Sequence, residues 1–109
     1  MPFERWSDQV AVVHLADDPQ FAEDMEQVMA LVKAERLNVV LDFATVHFIN
    51  SSNISQLLKL RKQTVAAESR MILCAMNNQV WGAFLVTGLD KIFEFSDNVM
   101  MGLATLQIE

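Results

Sequence analysis

The sequence has 109 residues, 52% of them hydrophobic, and a formal net charge of −6. This length fits one domain that can bury a core without disulfides or metals, and the acidic balance argues against nonspecific binding to nucleic acid or to anionic membranes. The single cysteine, Cys74, excludes an intrachain disulfide, as is typical of reducing compartments. Met1–Trp6 lacks the apolar stretch of a signal peptide, and the longest apolar run, Met71–Met76, is too short to cross a membrane. We therefore expect a cytoplasmic protein without membrane insertion.

The first third of the chain predicts two strands and a helix. Val10–Leu15 is rich in β-branched residues and predicts a strand, and Phe3–Trp6 predicts a short edge strand before it. Asp18 is a favoured N-cap residue and Pro19 suits the first helical position, so a helix should begin here and end near Arg36. Its inner face should consist of the apolar residues at helical spacing: Phe21, Met25, Val28, Met29 and Val32.

The middle of the chain predicts a buried strand, a loop and a second helix. Val39–Phe43 is a short apolar run typical of a central strand. Ala44–Asn50 should form a loop, and a helix should begin at Ser51 or Ser52. The expected inner face of this helix is Ile54, Leu57, Leu58 and Val65, and its expected solvent face carries Lys59, Arg61 and Lys62.

The last third predicts a strand at Met71–Ala75 and a helix capped by Asn77 or Asn78 and ended by Gly88. The apolar residues expected to face inward on this helix are Val80, Trp81, Phe84 and Leu85. Ile92–Phe95 predicts a final strand. A last helix should then be capped by Ser96 or Asp97 and carry the apolar residues Val99, Met100, Leu103 and Leu106.

Alternation of strands and helices indicates an α/β fold with a mainly parallel sheet. We expect one domain over residues 1–109, with four to five strands and about four helices. Functional loops in such sheets lie beyond the carboxyl ends of the strands. The segment Ala44–Ser52 is one of these loops.

Most of the chemically reactive side chains have a structural interpretation. His14 and His47 are far apart in the sequence and lack metal-ligand spacing, so we expect no metal site. Cys74 lies in an apolar strand and should be buried and unreactive. The three glycines form no phosphate-binding loop, and we expect no cofactor.

Three aspartates follow predicted strands and allow one alternative. Asp17 and Asp18 form an acidic pair, and Asp42 lies near the end of the next strand. This arrangement faintly resembles the acidic site of response-regulator receivers. However, Asp42 follows the pair too early in the chain, and Pro19 favours a capping role for Asp18.

The segment Phe48–Ile54 combines apolar and hydroxyl side chains at a helix start. Serine and asparagine are favoured caps because they accept hydrogen bonds from the free first-turn amides. A phosphate on a serine there would meet the same donors and the positive end of the helix dipole. Phe48 and Ile49 could be exposed apolar anchors or could be buried beneath the loop, and the sequence leaves both open.

Two segments resemble the STAS family, named for sulfate transporters and anti-sigma-factor antagonists. The family has a buried strand, a short loop with an apolar pair, and an aspartate-serine-serine/threonine-glycine motif that opens an amphipathic helix. Val39–Lys62 is similar to this pattern, with Asn50-Ser51-Ser52-Asn53 at the motif. Thr87–Phe93 resembles the serine-glycine-leucine turn before the family's last strand. Asn50 and Asn53 stand where the family has aspartate and glycine.

The resemblance implies a regulatory protein-binding module that is not an enzyme. In free-standing antagonists of the family, the second hydroxyl residue of the motif is phosphorylated by a serine kinase that is also the anti-sigma factor. The matching residue here is Ser52, with Ser51 as the second choice. An alternative is a non-switching structural STAS subunit of a larger assembly. We expect a monomer or weak dimer. The expected partner-binding residues are Phe48, Ile49, Asn50, Ser51, Ser52, Asn53, Gln56 and Lys59.

Overall fold

A computed structural model describes residues 3–107. The outermost residues of the predicted domain, 1–2 and 108–109, therefore lie outside the described residues. The elements in chain order are β1 Phe3–Arg5, β2 Val10–Ala16, α1 Gln20–Glu35, β3 Asn38–Thr45, α2 Ser51–Ala66, β4 Met71–Cys74, α3 Asn78–Thr87, a 3₁₀ turn Leu89–Lys91, β5 Glu94–Ser96 and α4 Val99–Gln107.

The five strands form one sheet in their chain order, β1-β2-β3-β4-β5. β1 runs antiparallel to β2, whereas β2 to β5 are mutually parallel. The register places Val12 beside Val40 and Val40 beside Ile72, so these β-branched residues form a row across the sheet. The predicted α/β fold with a mainly parallel sheet and four helices is confirmed.

Alternating strand residues face two hydrophobic cores. Val13, Leu41 and Leu73 pack with the inner faces of α1, α2 and α3 in the larger core. The smaller core contains the intervening positions of the same strands together with Leu103 of α4. A β-carbon on Gly102 would lie 2.8 Å from the sulfur of Cys74, so only glycine permits this close approach of α4 to the sheet.

The inner face of α2 differs from the prediction. Leu57 is buried as expected, but Leu58 is 39% and Val65 61% exposed. Compared with the predicted orientation, the helix is rotated about its axis so that two polar residues, Asn53 and Thr64, point inward. Both are accommodated by hydrogen bonds: the Thr64 hydroxyl donates to the carbonyl of Arg61, and Asn53 bonds across to another loop. Because apolar spacing alone cannot show that polar residues will find partners, the prediction placed Leu58 and Val65 inward and was wrong for both.

Two further apolar positions are exposed rather than inward. Leu85 on α3 is 50% exposed and Met100 on α4 is 70% exposed. Each helix contacts the rest of the fold through a narrow stripe that excludes these positions. The stripes contain Val80 and Phe84 on α3 and Leu103 on α4, all of which are buried as predicted.

Helix caps are partly as predicted. Asn77 caps α3 by accepting the amide of Val80, and Gly88 ends that helix with a φ of 75°, both as expected. Asn98, rather than Ser96 or Asp97, caps α4 by accepting the amide of Met101.

The start of α1 also differs from the prediction. Pro19 occupies the N-cap position of the helix, which Asp18 was predicted to fill. The carboxylate of Asp18 still accepts the amide of Ala22 at 3.2 Å, but its other contacts are to α2. The helix ends as expected, with Arg36 as the C-cap after Glu35.

His14 lies between two carboxylates on the α4 side of the sheet. Its Nδ1 is 2.7 Å from Asp42 on β3, and its Nε2 is 3.1 Å from Glu4 on β1. The hydrogen bond with Asp42, assisted by Glu4, raises the pKa of His14 above its ordinary value, against the opposing effect of burial. When it is protonated, the imidazole donates to both carboxylates and ties the edge strand to the centre of the sheet.

This arrangement predicts a pH-dependent contribution to stability. Because the pKa of His14 is raised on folding, its stabilisation is fully present below the ordinary histidine value of about 6.5 and is lost as pH rises through the folded-state pKa. Urea unfolding of wild type and His14→Gln should show a stability gap that shrinks between about pH 6 and about pH 8.5. An equal gap at both pH values would contradict this interpretation.

Candidate functional site

The candidate site is the loop that joins β3 to α2, at the carboxyl edge of the parallel strands. Val46 is buried and anchors the start of the loop, and the amide of Asn77 donates to its carbonyl from the neighbouring loop. Phe48 is 65% exposed, whereas Ile49 is half-buried and packs against the larger core. The sequence left open whether these two residues are exposed or buried beneath the loop. In the structure, Phe48 points outward and Ile49 points inward.

The start of α2 is closed by a reciprocal pair of asparagines. The side-chain oxygen of Asn50 accepts the Asn53 amide at 2.8 Å, and the side-chain oxygen of Asn53 accepts the Asn50 amide at 3.1 Å. This capping box satisfies two backbone groups that the helix leaves unpaired. The residues that depart from the family motif are therefore a matched pair that defines the helix start.

The neighbouring loop, between β2 and α1, reinforces this pair with a carboxylate. Asn50 donates its side-chain N–H to Asp18 at 3.0 Å. Asn53, which is 2% exposed, donates to both oxygens of Asp18 at 3.2 and 3.1 Å. Asp18 thus places a negative charge at the N-terminus of α2, where the helix dipole favours it. We call Asp18, Asn50 and Asn53 the amide–carboxylate clamp.

Asp17 holds the first half of the same loop. Its Oδ1 accepts the backbone amides of His47 at 2.7 Å and Phe48 at 3.2 Å, and its Oδ2 lies 2.8 Å from the imidazole Nδ1 of His47. These hydrogen bonds, chiefly that to the His47 side chain, lower the pKa of Asp17. Two adjacent aspartates therefore fasten the loop that carries Phe48 and leads into the serines at the start of α2.

Ser51 and Ser52 occupy the first two positions of α2 and are both exposed. Within residues 3–107, neither hydroxyl makes a hydrogen bond. Backbone amides at this end of a helix have no helical acceptor. The arrangement can thus present a hydroxyl to a modifying enzyme and can support an added phosphate.

Two other predicted partner-binding residues lie further along α2. Lys59 is exposed. Gln56 is half-buried, and its side-chain amide donates to the carbonyl of Ala22 on α1 at 3.2 Å. Gln56 therefore contributes to the contact between the two helices rather than projecting freely.

The remaining reactive groups are placed away from the loop. Burial raises the pKa of the Cys74 thiol to about 12, which keeps it protonated. Asp42 bonds His14 instead of joining Asp17 and Asp18, so the receiver-like acidic site does not form. In the part of the chain that the structure describes, no three His, Cys, Asp or Glu side chains are grouped to hold a metal ion. No helix among residues 3–107 is long and apolar enough to span a bilayer.

The α/β fold built around this loop and the start of α2 is matched by a family model. Residues 15–101 match the STAS domain model, which covers most of the chain. The chain belongs to the STAS domain family.

Solved structures share the fold at low sequence identity. A candidate anti-sigma factor antagonist from Thermotoga maritima superposes with a TM-score of 0.84 and 17% identity, over 97% of this chain and 93% of that one. The phosphorylated form of the Bacillus cell fate determinant SpoIIAA superposes with a TM-score of 0.75 and 16% identity, over 98% of this chain and 97% of that one. A variant of RsbS from Moorella thermoacetica superposes with a TM-score of 0.79 and 16% identity, over 98% of this chain and 96% of that one. At these identities, the likeness establishes the fold.

Sequence reasoning missed the role of the two aspartates. Asp17 contacts His47 and Phe48, and Asp18 contacts Asn50 and Asn53, across 30 or more residues of chain. These contacts form because β2 and β3 are adjacent and parallel. The available signal was topological: polar residues after neighbouring parallel strands meet at one edge of the sheet.

Proposed function

We propose that this protein is a cytoplasmic bacterial regulator of transcription that binds an anti-sigma factor with serine kinase activity and is released when Ser52 is phosphorylated. The observation that carries the proposal is the exposed Ser52 in the first turn of α2, directly after a loop that Asp17 holds by its backbone amides and Asp18 by the Asn50 side chain. A kinase needs an accessible hydroxyl, and a docking partner needs a surface of defined shape. The loop supplies both.

The charge around the loop supports a switch that acts at the interface. A phosphate on Ser52 would add about −1.5 to −2 charges at neutral pH. The helix dipole favours this charge, whereas the carboxylate of Asp18 at the same helix end opposes it. The two effects offset one another, so the phosphorylated domain stays folded. A partner covering the loop would have to bury the added charge, which costs several kcal/mol when it is unpaired.

Phe48 is the residue on this surface with the largest exposed apolar side chain, and its removal tests the surface. Phe48→Ala should weaken binding to the cognate kinase-type anti-sigma factor about tenfold, as expected for an aromatic anchor. The melting temperature should remain within about 2 °C, because the side chain is mostly in solvent. Isothermal titration calorimetry and thermal unfolding measure the two quantities.

Val86 on α3 provides the matched control, since it is 88% exposed and lies outside the loop. Val86→Ala should bind like wild type. If Phe48→Ala binds like wild type, or if both variants weaken binding equally, the partner surface is elsewhere.

The second candidate is a non-switching structural subunit of a larger assembly. It is favoured by Asn53, whose buried side chain uses the motif position to close the loop rather than to leave room for a kinase. Exposed apolar residues on three helices would serve as assembly contacts in this case: Val65, Leu85, Val86, Met100 and Met101. A large stable oligomer in analytical ultracentrifugation, with Ser52 unmodified by the cognate kinase, would favour this candidate over the first.

A further inference from the structure

A second concave site lies at the carboxyl edge of the sheet, beyond β4 and β5. It is a pocket of about 290 Å³, walled by α3 on one side and by the end of β5 and the residue after it on the other. Ligands of open α/β sheets bind beyond the carboxyl ends of the strands. Ser52 and Phe48 are not among the lining residues, so the pocket is separate from the candidate switch surface.

The floor of the pocket is apolar and aromatic. Leu73 and Met76 line it together with Trp81 and Phe95. The two rings meet edge to face, with centroids 4.9 Å apart and an interplanar angle of 84°. Both are half-buried, so part of each ring remains accessible from the pocket. Phe84 packs against the ring of Phe95, with the two ring centroids 5.6 Å apart, and holds that ring in place.

The polar part of the pocket has one charge. Asp97 is the only ionisable residue in the lining, and the other polar residues, Asn78 and Ser96, are neutral. No lysine or arginine lines the pocket to compensate for the carboxylate. The N-terminus of α3 at Asn78 contributes a partial positive charge of about half an elementary unit, which is smaller than the full negative charge of Asp97.

We propose that this pocket binds a small organic cation, namely an amine or quaternary ammonium with a short apolar body. Aromatic faces attract ammonium groups through their quadrupole, and a nearby carboxylate adds to that attraction. The pocket lies at the lower end of the roughly 300–1,000 Å³ range of ligand sites, so the ligand must be small. The proposal does not depend on phosphorylation of Ser52.

Three small aromatic probes of different charge test this proposal. Benzylammonium, benzyl alcohol and phenylacetate share an aromatic body and carry positive, zero and negative charge. Trp6→Phe leaves Trp81 as the single tryptophan, so its fluorescence reports the pocket directly. We expect benzylammonium to bind at least about tenfold more tightly than either other probe. Amide shifts of Phe95 and Asp97 in NMR spectra should follow the same titration.

Removal of the carboxylate provides the second arm of the test. Asp97→Asn, in the same background, should weaken benzylammonium binding about threefold, as expected for a partly solvated ion pair. Asp8→Asn is the matched control, because Asp8 is exposed and lies outside the pocket, and it should leave binding unchanged. Equal affinity for all three probes, preference for phenylacetate, or equal effects of the two substitutions would overturn the proposal.

Discussion

Asn53→Ala should lower the free energy of unfolding by about 2 kcal/mol and the melting temperature by about 10 °C. The substitution removes one half of the capping box and the hydrogen bonds to the Asp18 carboxylate. Loss of a cap costs about 1 kcal/mol, and loss of hydrogen bonds to a charged group adds a similar amount where the acceptor is exposed. Urea denaturation measures the change directly.

A double-mutant cycle isolates the amide–carboxylate clamp from the cap. Asp18→Ala and Asn53→Ala remove the two sides of the same hydrogen bonds, so their combined effect should fall short of the sum by at least about 0.5 kcal/mol. Ser55→Ala, at an exposed position on the same helix, should change stability by less than about 0.5 kcal/mol. If the effects of Asp18→Ala and Asn53→Ala on the free energy of unfolding are additive, the hydrogen bonds between these two side chains contribute no coupling energy.

The sequence was sufficient for most of the fold because local signals agreed with the tertiary structure. Val39–Phe43 and Met71–Ala75 are short apolar runs typical of a buried strand, and the structure has strands at Asn38–Thr45 and Met71–Cys74. Gly88 and Asn77 have backbone-specific roles that depend on few neighbours. Such residues can be interpreted without knowledge of what packs against them.

The positions that were wrong depend on contacts between distant segments. α2 presents Asn53 and Thr64 inward rather than Leu58 and Val65, because hydrogen bonds accommodate the polar residues in place. Asp18 was predicted to cap α1 but also bonds two asparagines more than 30 residues away. Helical periodicity carries no information about partners of this kind, and only the sheet topology brings them together.

Ser52→Asp should weaken binding to the cognate anti-sigma factor about a hundredfold while leaving the domain folded. An unpaired carboxylate buried at the interface costs about 3 kcal/mol, and each 1.4 kcal/mol is about tenfold in affinity. At the second position of α2 the new charge is favoured by the helix dipole and opposed by Asp18, so stability should change by less than about 0.5 kcal/mol. Calorimetric titration and urea denaturation of the same preparation measure the two effects.

Two variants control for this substitution. Ser52→Ala should bind like wild type, which would show that the hydroxyl itself is not the anchor. Ser51→Asp adds the same charge one residue earlier, at a position that is also exposed, and should weaken binding less. Equal losses for the two aspartate variants would indicate a general charge effect at the helix end rather than a switch at Ser52.

The most direct test of the proposed switch is the affinity of the genuine phosphoprotein. The protein is incubated with ATP and its cognate kinase-type anti-sigma factor, the modified residue is mapped by mass spectrometry, and purified modified and unmodified forms are titrated against the same partner. We predict one phosphate, on Ser52, and at least about a hundredfold weaker binding of the modified form with an unchanged melting temperature. Absence of modification by an active cognate kinase, a phosphate at another residue, or equal affinity of the two forms would contradict the account.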